Sequence, residues 1–163
     1  MIDLELALQE LSRAGVEFII VGGVAAAIHG SARVTQDLDI VYARTSENIA
    51  RLAAVLAPYR PYLRGAPPGL PFRWDAETIR RGLNFTLTTA LGDLDLLGEI
   101  VGGGTYADLF PHSQVAKVSG VEYRCLGLAH LIHVKRAAGR PKDFEAIAEL
   151  EALREERRDQ NAT

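Results

Sequence analysis

Two adjacent glycines inside an apolar stretch constrain this chain more than any other feature. Glu17-Phe18-Ile19-Ile20-Val21 is rich in β-branched and aromatic residues. Gly22-Gly23 follows, and then Val24-Ala25-Ala26-Ala27-Ile28-His29, of helix-forming composition, closed by Gly30. The pattern predicts a buried strand over 17–21 that turns directly into a short helix. Glycine at such a turn lets the backbone approach a phosphate closely, with free N–H groups and the positive helix end aimed at it.

Fourteen residues beyond the pair, Asp37-Leu38-Asp39 opens a second apolar run. With the two-residue period of a strand, Leu38, Ile40 and Tyr42 share one face while Asp37 and Asp39 share the other. Two carboxylates about 6 Å apart repel by about 3 kcal/mol at an effective dielectric of about 20. A cation offsets that repulsion, and Mg²⁺ suits the chemistry, because a hard cation takes a few carboxylate oxygens and completes its shell with substrate phosphate.

The rest of the chain supplies a frame. Leu4, Ala7, Leu8 and Leu11 repeat at helical spacing before Gly15, which predicts a first helix over 2–14. Thr45 and Ser46 are caps for a helix that turns Ile49, Leu52, Ala53 and Leu56 inward and ends at Pro58. Residues 58–76 hold five prolines and the aromatics Tyr59, Tyr62, Phe72 and Trp74, and read as an ordered loop packed on the body. Arg60, Arg64 and Arg73 in that loop could contact a polyanion, but they read first as solvated surface charges.

Residues 83–89 and 93–97 predict a hairpin, with Asp93 and Asp95 on one side of its second strand. Gly102-Gly103-Gly104 lacks the lysine and hydroxyl residue of a phosphate loop and reads as a flexible connection before a helical turn at 106–109. A second hairpin is expected over 114–118 and 121–125. In the helix after it, Leu128, Leu131, Ile132 and Lys135 fall at i, i+3, i+4 and i+7, so Lys135 ends an apolar stripe, to snorkel out or to project into a cleft. Pro141 opens a last helix docked through Phe144, Ile147, Leu150 and Leu153. The order of elements predicts an α/β (α+β) chain, a mixed β-sheet flanked by helices with a helical C-terminus. It is expected to form a single domain over 1–163 with a frayed tail over 154–163.

Composition narrows the function classes. A net charge of −3 argues against a surface coated for non-specific nucleic-acid binding. Lysine occurs only at Lys117, Lys135 and Lys142, which makes each a candidate to inspect as a point-charge phosphate ligand. The one cysteine, Cys125, excludes an internal disulfide and a cysteine-based zinc cluster, and reads as a buried thiol in a reducing compartment. An acidic amphipathic N-terminus and the lack of a long apolar run predict neither a secretory signal nor a membrane span, hence a cytoplasmic protein. His130 and His133, three apart, have no third ligand nearby in sequence and read as structural, as does His29 at a helix end. Ser31, Thr35 and Ser113 lack the support of a nucleophilic triad.

Three carboxylates beside a glycine turn match the needs of phosphoryl or nucleotidyl transfer. Asp37 and Asp39 would hold metal ions, Asp95 would complete a site or act as base, with Asp93 as its alternative. Lys135, with Lys142 or Arg33 as alternates, would neutralise a pyrophosphate leaving group. Gly22-Gly23-Val24-Ala25, His29-Gly30, Arg33, Thr35 and Asp37-Leu38-Asp39-Ile40 together resemble the signature of the polymerase-β-like nucleotidyltransferase superfamily. Over residues 5 to 155 the chain is similar to the small bacterial proteins grouped near the AbiEii toxins of abortive-infection and toxin–antitoxin systems, and Lys135 to Asp143 resembles their second motif.

The resemblance implies a nucleotidyltransferase fold, triphosphate contact at Gly22 and Gly23, metal binding at Asp37, Asp39 and Asp95, and nucleotide binding or catalysis at Lys135 and Asp143. It implies two Mg²⁺ ions, a nucleoside triphosphate, and an acceptor that is tRNA, a protein hydroxyl or a small molecule. Set against the larger toxins, the chain is expected to be without their extended C-terminal helical region. That leaves a second reading, a non-catalytic or regulatory partner, one half of a toxin–antitoxin pair.

Overall fold

A computed structural model describes residues 1–162. Helix α1 (Leu4–Arg13) is capped by Asp3, whose carboxylate accepts from the Leu6 N–H, and buries Ala7, Leu8 and Leu11. Strand β1 (Phe18–Val21) is buried along its length and runs straight into α2 (Gly22–Ile28). Strand β2 (Asp37–Tyr42) follows, then α3 (Ser46–Leu56). Of the two residues able to cap α3, Thr45 does so, accepting from the Asn48 N–H at 3.2 Å. Asn48 itself is buried and ties three backbone groups, the Glu17 N–H and the Glu17 and Ala43 carbonyls, so it clamps α3 to the entry of β1 and the exit of β2.

The proline-rich stretch is ordered, as its aromatics predict. Tyr62 and Phe72 meet edge to face, as do Trp74 and Phe85, and the Trp74 indole donates to the Ala53 carbonyl at 3.1 Å. It also contains an element that the prolines conceal, the two-residue strand β3 (Tyr62–Leu63), and it leads into α4 (Ala76–Arg81). The expected hairpins form as β4 (Asn84–Thr89) with β5 (Gly92–Leu97), and β8 (Ser113–Val118) with β9 (Val121–Leu126). Between them, β6 (Glu99–Ile100) and β7 (Gly104–Thr105) make a small separate hairpin before the helical turn α5 (Tyr106–Leu109).

The glycine triplet is therefore not a loose connection. Gly102 packs against Ala137, and a Cβ on Gly103 would lie 2.7 Å from Ile100, so close packing excludes side chains there.

Seven strands form one mixed sheet in the order β3-β4-β5-β2-β1-β9-β8. The central strands β2 and β5 are parallel, as are β1 and β9, while β1–β2, β3–β4, β4–β5 and β8–β9 are antiparallel. Leu38, Ile40, Leu94 and Leu96 are fully buried on β2 and β5. The alternating positions on the same strands carry the aspartates, so one register fixes both the core and the acidic face.

Helix α6 (Leu128–Ala138) packs against α2 and against α7 (Phe144–Ala162), which Pro141 opens through one 3₁₀ turn. Leu150 is buried and Ile147 and Leu153 pack on the core, but Phe144 is 64 % exposed, contrary to the expected docking. Residues 154–162 continue α7, and Arg157 donates from it to both the carbonyl and Nδ1 of His29 at 3.1 Å. Thr163 lies outside the described residues. No helix among the described residues is long and apolar enough to cross a membrane.

Candidate active site

The parallel pairing of β2 with β5 sets Asp37 beside Asp93 and Asp39 beside Asp95. Four carboxylates thus share one face of the sheet centre. Oxygens of Asp37, Asp39 and Asp95 all lie within 4.8 Å of one another, the one such convergence of His, Cys, Asp and Glu ligands among the described residues. Asp93, the alternative third carboxylate, sits one pair further out.

The glycine pair meets these carboxylates. Val21 pairs with Asp39 across the β1–β2 ladder, so Gly22 is the next residue past that pair. Gly22 takes φ +66°, and a Cβ there would fall inside the van der Waals shell of the Asp39 carboxylate. A Cβ on Gly23 would lie 2.8 Å from Thr35 Oγ1. Thr35 in turn donates to the Asp37 carbonyl at 3.0 Å, which fixes the entry of β2.

Electrostatics single out Asp39. Burial pushes its carboxyl up, the Asp37 charge adds to this, and so do a hydrogen bond with Asp95 and the Asp95 charge, while Arg64 opposes. The result is about 8. Asp39 Oδ1 is buried with no hydrogen-bond partner. A buried carboxylate oxygen left without a donor, facing two further carboxylates, is the donor set a hard divalent cation completes, so Mg²⁺ fits these residues.

Lys135 projects into the cleft. Its side chain is 18 % exposed and lies 3.9 Å from the buried Asp143 carboxylate. It lines a cleft of about 380 Å³ with Gly22, Asp39, Asn84, Glu99 and Arg140. It also borders a second cleft of about 240 Å³ with Gly23, Arg33, Thr35, Asp37 and Lys142. Lys135 therefore links the carboxylates to both hollows.

Asp143 faces cations. Burial works against its ionisation, but the Arg140 guanidinium at 2.8 Å, Lys135 and Lys142 hold its carboxyl below the ordinary value. Arg33 borders the second cleft while paired with Glu145 at 3.3 Å and Glu149 at 3.7 Å on α7, so it is anchored by its partners.

The residue that sequence reasoning misplaced is Arg64. It is not a solvated surface charge: its Nη2 donates to Asp95 Oδ1 at 2.8 Å, Nε lies 3.4 Å from Asp93 Oδ2, and Nη1 lies 3.9 Å from Asp37 Oδ2. Nothing in its local sequence separates it from Arg60 or Arg73. Only the pairing of β3 with β4 brings it across to β5 and β2.

The histidines stand apart from the carboxylates. His112 stacks on His130 at 3.9 Å, with His133 5.2 Å further on, so the third imidazole absent from the local sequence comes from a distant turn, yet the three do not converge as ligands. His29 Nε2 donates to the Leu126 carbonyl at 2.8 Å, which leaves Nδ1 to accept from Arg157 and keeps the ring neutral. Burial, with Arg157 adding to it, holds its pKa below the usual value. Cys125 is buried, and burial pushes its thiol up to about 12.

No family model matches the sequence, and no curated protein does. Among solved structures, the chain is similar to a crystal structure from Thermotoga maritima whose assignment as a nucleotidyltransferase is itself provisional. The TM-score is 0.53 at 13 % identity, and the match covers 100 % of this chain and 97 % of that one. The likeness establishes the nucleotidyltransferase fold expected from the sequence.

Proposed function

We propose that the chain is a Mg²⁺-dependent nucleotidyltransferase that moves a nucleoside monophosphate from a nucleoside triphosphate to a hydroxyl acceptor. The observation that carries this reading is the convergence of Asp37, Asp39 and Asp95 beside Gly22, with an unpartnered Asp39 oxygen among them. In the balanced reaction the acceptor oxygen bonds to the α-phosphorus, the bond from that phosphorus to pyrophosphate breaks, and the hydroxyl proton leaves to a base.

In this reading Asp37, Asp39 and Asp95 hold one or two cations, which when bound would draw charge from the phosphate oxygens. Asp95 also orients the acceptor hydroxyl and takes its proton. Backbone N–H groups of Gly22 and Gly23 bind triphosphate oxygens. Lys135, between the two clefts, offsets the charge of the departing pyrophosphate, with Lys142 and Arg33 along the second cleft. Asp143 holds Lys135 in place through their ion pair.

Within the superfamily we place the chain near the AbiEii-like toxins of toxin–antitoxin systems, as one cytoplasmic domain acting on tRNA, protein or a small molecule. Incubation with each labelled nucleoside triphosphate, Mg²⁺ and a cell extract should label one acceptor. Asp37→Ala, Asp39→Ala and their combination should abolish labelling while circular dichroism stays unchanged. Undiminished transfer by the double variant overturns the reading.

One observation favours the second reading, a non-catalytic or regulatory partner: Arg64 already pairs with three of the four carboxylates. Calorimetry with Mg²⁺ and each nucleotide separates the two, since tight nucleotide binding with turnover excludes a purely associative role.

A further inference from the structure

The carboxylate face carries its own cation. Arg64 leaves the end of β3, crosses β4, where Nη2 also donates to the Leu87 carbonyl at 2.8 Å, and ends among Asp37, Asp93 and Asp95. Asp37 and Asp95 are also two of the three carboxylates that converge with Asp39.

A permanent structural arginine pair is typically a two-pronged, fully hydrogen-bonded fork. Arg64 instead makes one direct hydrogen bond to a carboxylate, to Asp95, and two longer contacts, and its buried Nε has no hydrogen-bond partner. The guanidinium is held by field more than by fit.

A divalent cation bound at about 2.0–2.1 Å from carboxylate oxygens here is repelled by a guanidinium a few ångströms away, so the two compete for the same carboxylates. Arg64 has a route out: its side chain is 26 % exposed, and it precedes Gly65, which has no heavy atom within 4 Å of where a Cβ would be.

We infer that Arg64 is a built-in counter-cation of the carboxylate site, displaced when a divalent ion binds, and that it sets the affinity of the site for that ion. The inference rests on the nucleotidyltransferase reading only in taking these carboxylates as an ion site. The aspartates of this face together outweigh the one guanidinium and leave it net negative. Exchange of the guanidinium for a dication lowers that charge and frees Arg64 at the cleft wall, where it can meet an incoming anion.

The test is titration of the metal-free protein with Mn²⁺ alone, without nucleotide, followed by electron paramagnetic resonance. Arg64→Ala should bind Mn²⁺ about tenfold tighter than wild type. Without the ion it should melt lower than wild type, and Mn²⁺ should restore it. Equal or weaker binding by a folded Arg64→Ala overturns the inference.

A second measurement needs no variant: in wild type, the ¹H–¹⁵N resonance of Arg64 Nε should move as Mg²⁺ is added, and a resonance that stays fixed while the ion binds overturns the inference. No ion binding by either protein overturns it as well. Equal Mn²⁺ affinities together with nucleotide transfer by wild type would sink this inference and leave the proposed function standing. Tighter binding by Arg64→Ala with no transfer from any triphosphate would do the reverse.

Discussion

Replacing Asp39 by Asn tests how much electrostatic stress the acidic face stores. Asp39 is displaced from 3.8 to about 8, first by burial, then by the Asp37 charge and by Asp95. A raised acid contributes stability that is fully present below its ordinary value and is lost as pH rises through the folded value. Between pH 5 and pH 8 the unfolded chain has given up this proton while the folded chain keeps most of it, at about 1.4 kcal/mol for each pH unit. The loss is about 4 kcal/mol, an upper limit because water entering the open cleft relaxes the site. Asn carries no titratable proton, so the stability difference between Asp39→Asn and wild type should widen by up to that amount from pH 5 to pH 8. Urea unfolding in the presence of a chelator measures it, and titrations of groups remote from Asp39 cancel in the difference. A gap that stays constant with pH would mean that Asp39 ionises freely in the folded protein, and the argument for a stressed carboxylate would be refuted.

Three further outcomes are expected. Gly22→Ala and Gly65→Ala both force an L residue to positive φ, at about 1–2 kcal/mol each. Only the first drives a methyl into the Asp39 carboxylate, so chemical denaturation should find Gly22→Ala the more destabilised, and equal losses would argue against that close approach. Asn48→Ala should cost about 2–3 kcal/mol in the same assay, because it strands the Glu17 N–H and two carbonyls, and a change within error would contradict the clamp. Burial, with Arg157 adding to it, holds His29 below its ordinary value, so the unfolded imidazole takes up a proton first as pH falls below about 6.5, and the fold loses stability on that side. His130, held low by burial and by its histidine neighbours, acts in the same direction, so His29→Gln should flatten the acid limb of a melting-temperature profile in part.

Local chemistry explains why so much of the acidic site was legible. A strand has period two, so Asp37 and Asp39 had to share a face, and Asp93 and Asp95 likewise on the second strand of a hairpin. The same reasoning could not pair β2 with β5, because a parallel ladder joins segments more than fifty residues apart through hydrogen bonds that carry no sequence mark. Arg64 shows the limit most sharply. Three arginines in one proline-rich loop look alike, and only the two-residue strand β3, too short for any periodicity, delivers one of them to the carboxylates. The helical end carries a contact hidden for a related reason: charged composition after Leu153 names no partner, yet Arg157 reaches His29, 128 residues away in sequence, from a helix that runs to Ala162.

By itself, then, the sequence determined the longer elements and the chemical character of the site, since glycine turns, strand alternation and helical stripes are properties of neighbouring residues. Tertiary structure alone decided which carboxylates converge, that Lys135 faces a cleft and that an arginine sits among the aspartates. Those are matters of distance between remote segments, and near a low-dielectric core the strength of a charge's effect is set by that distance.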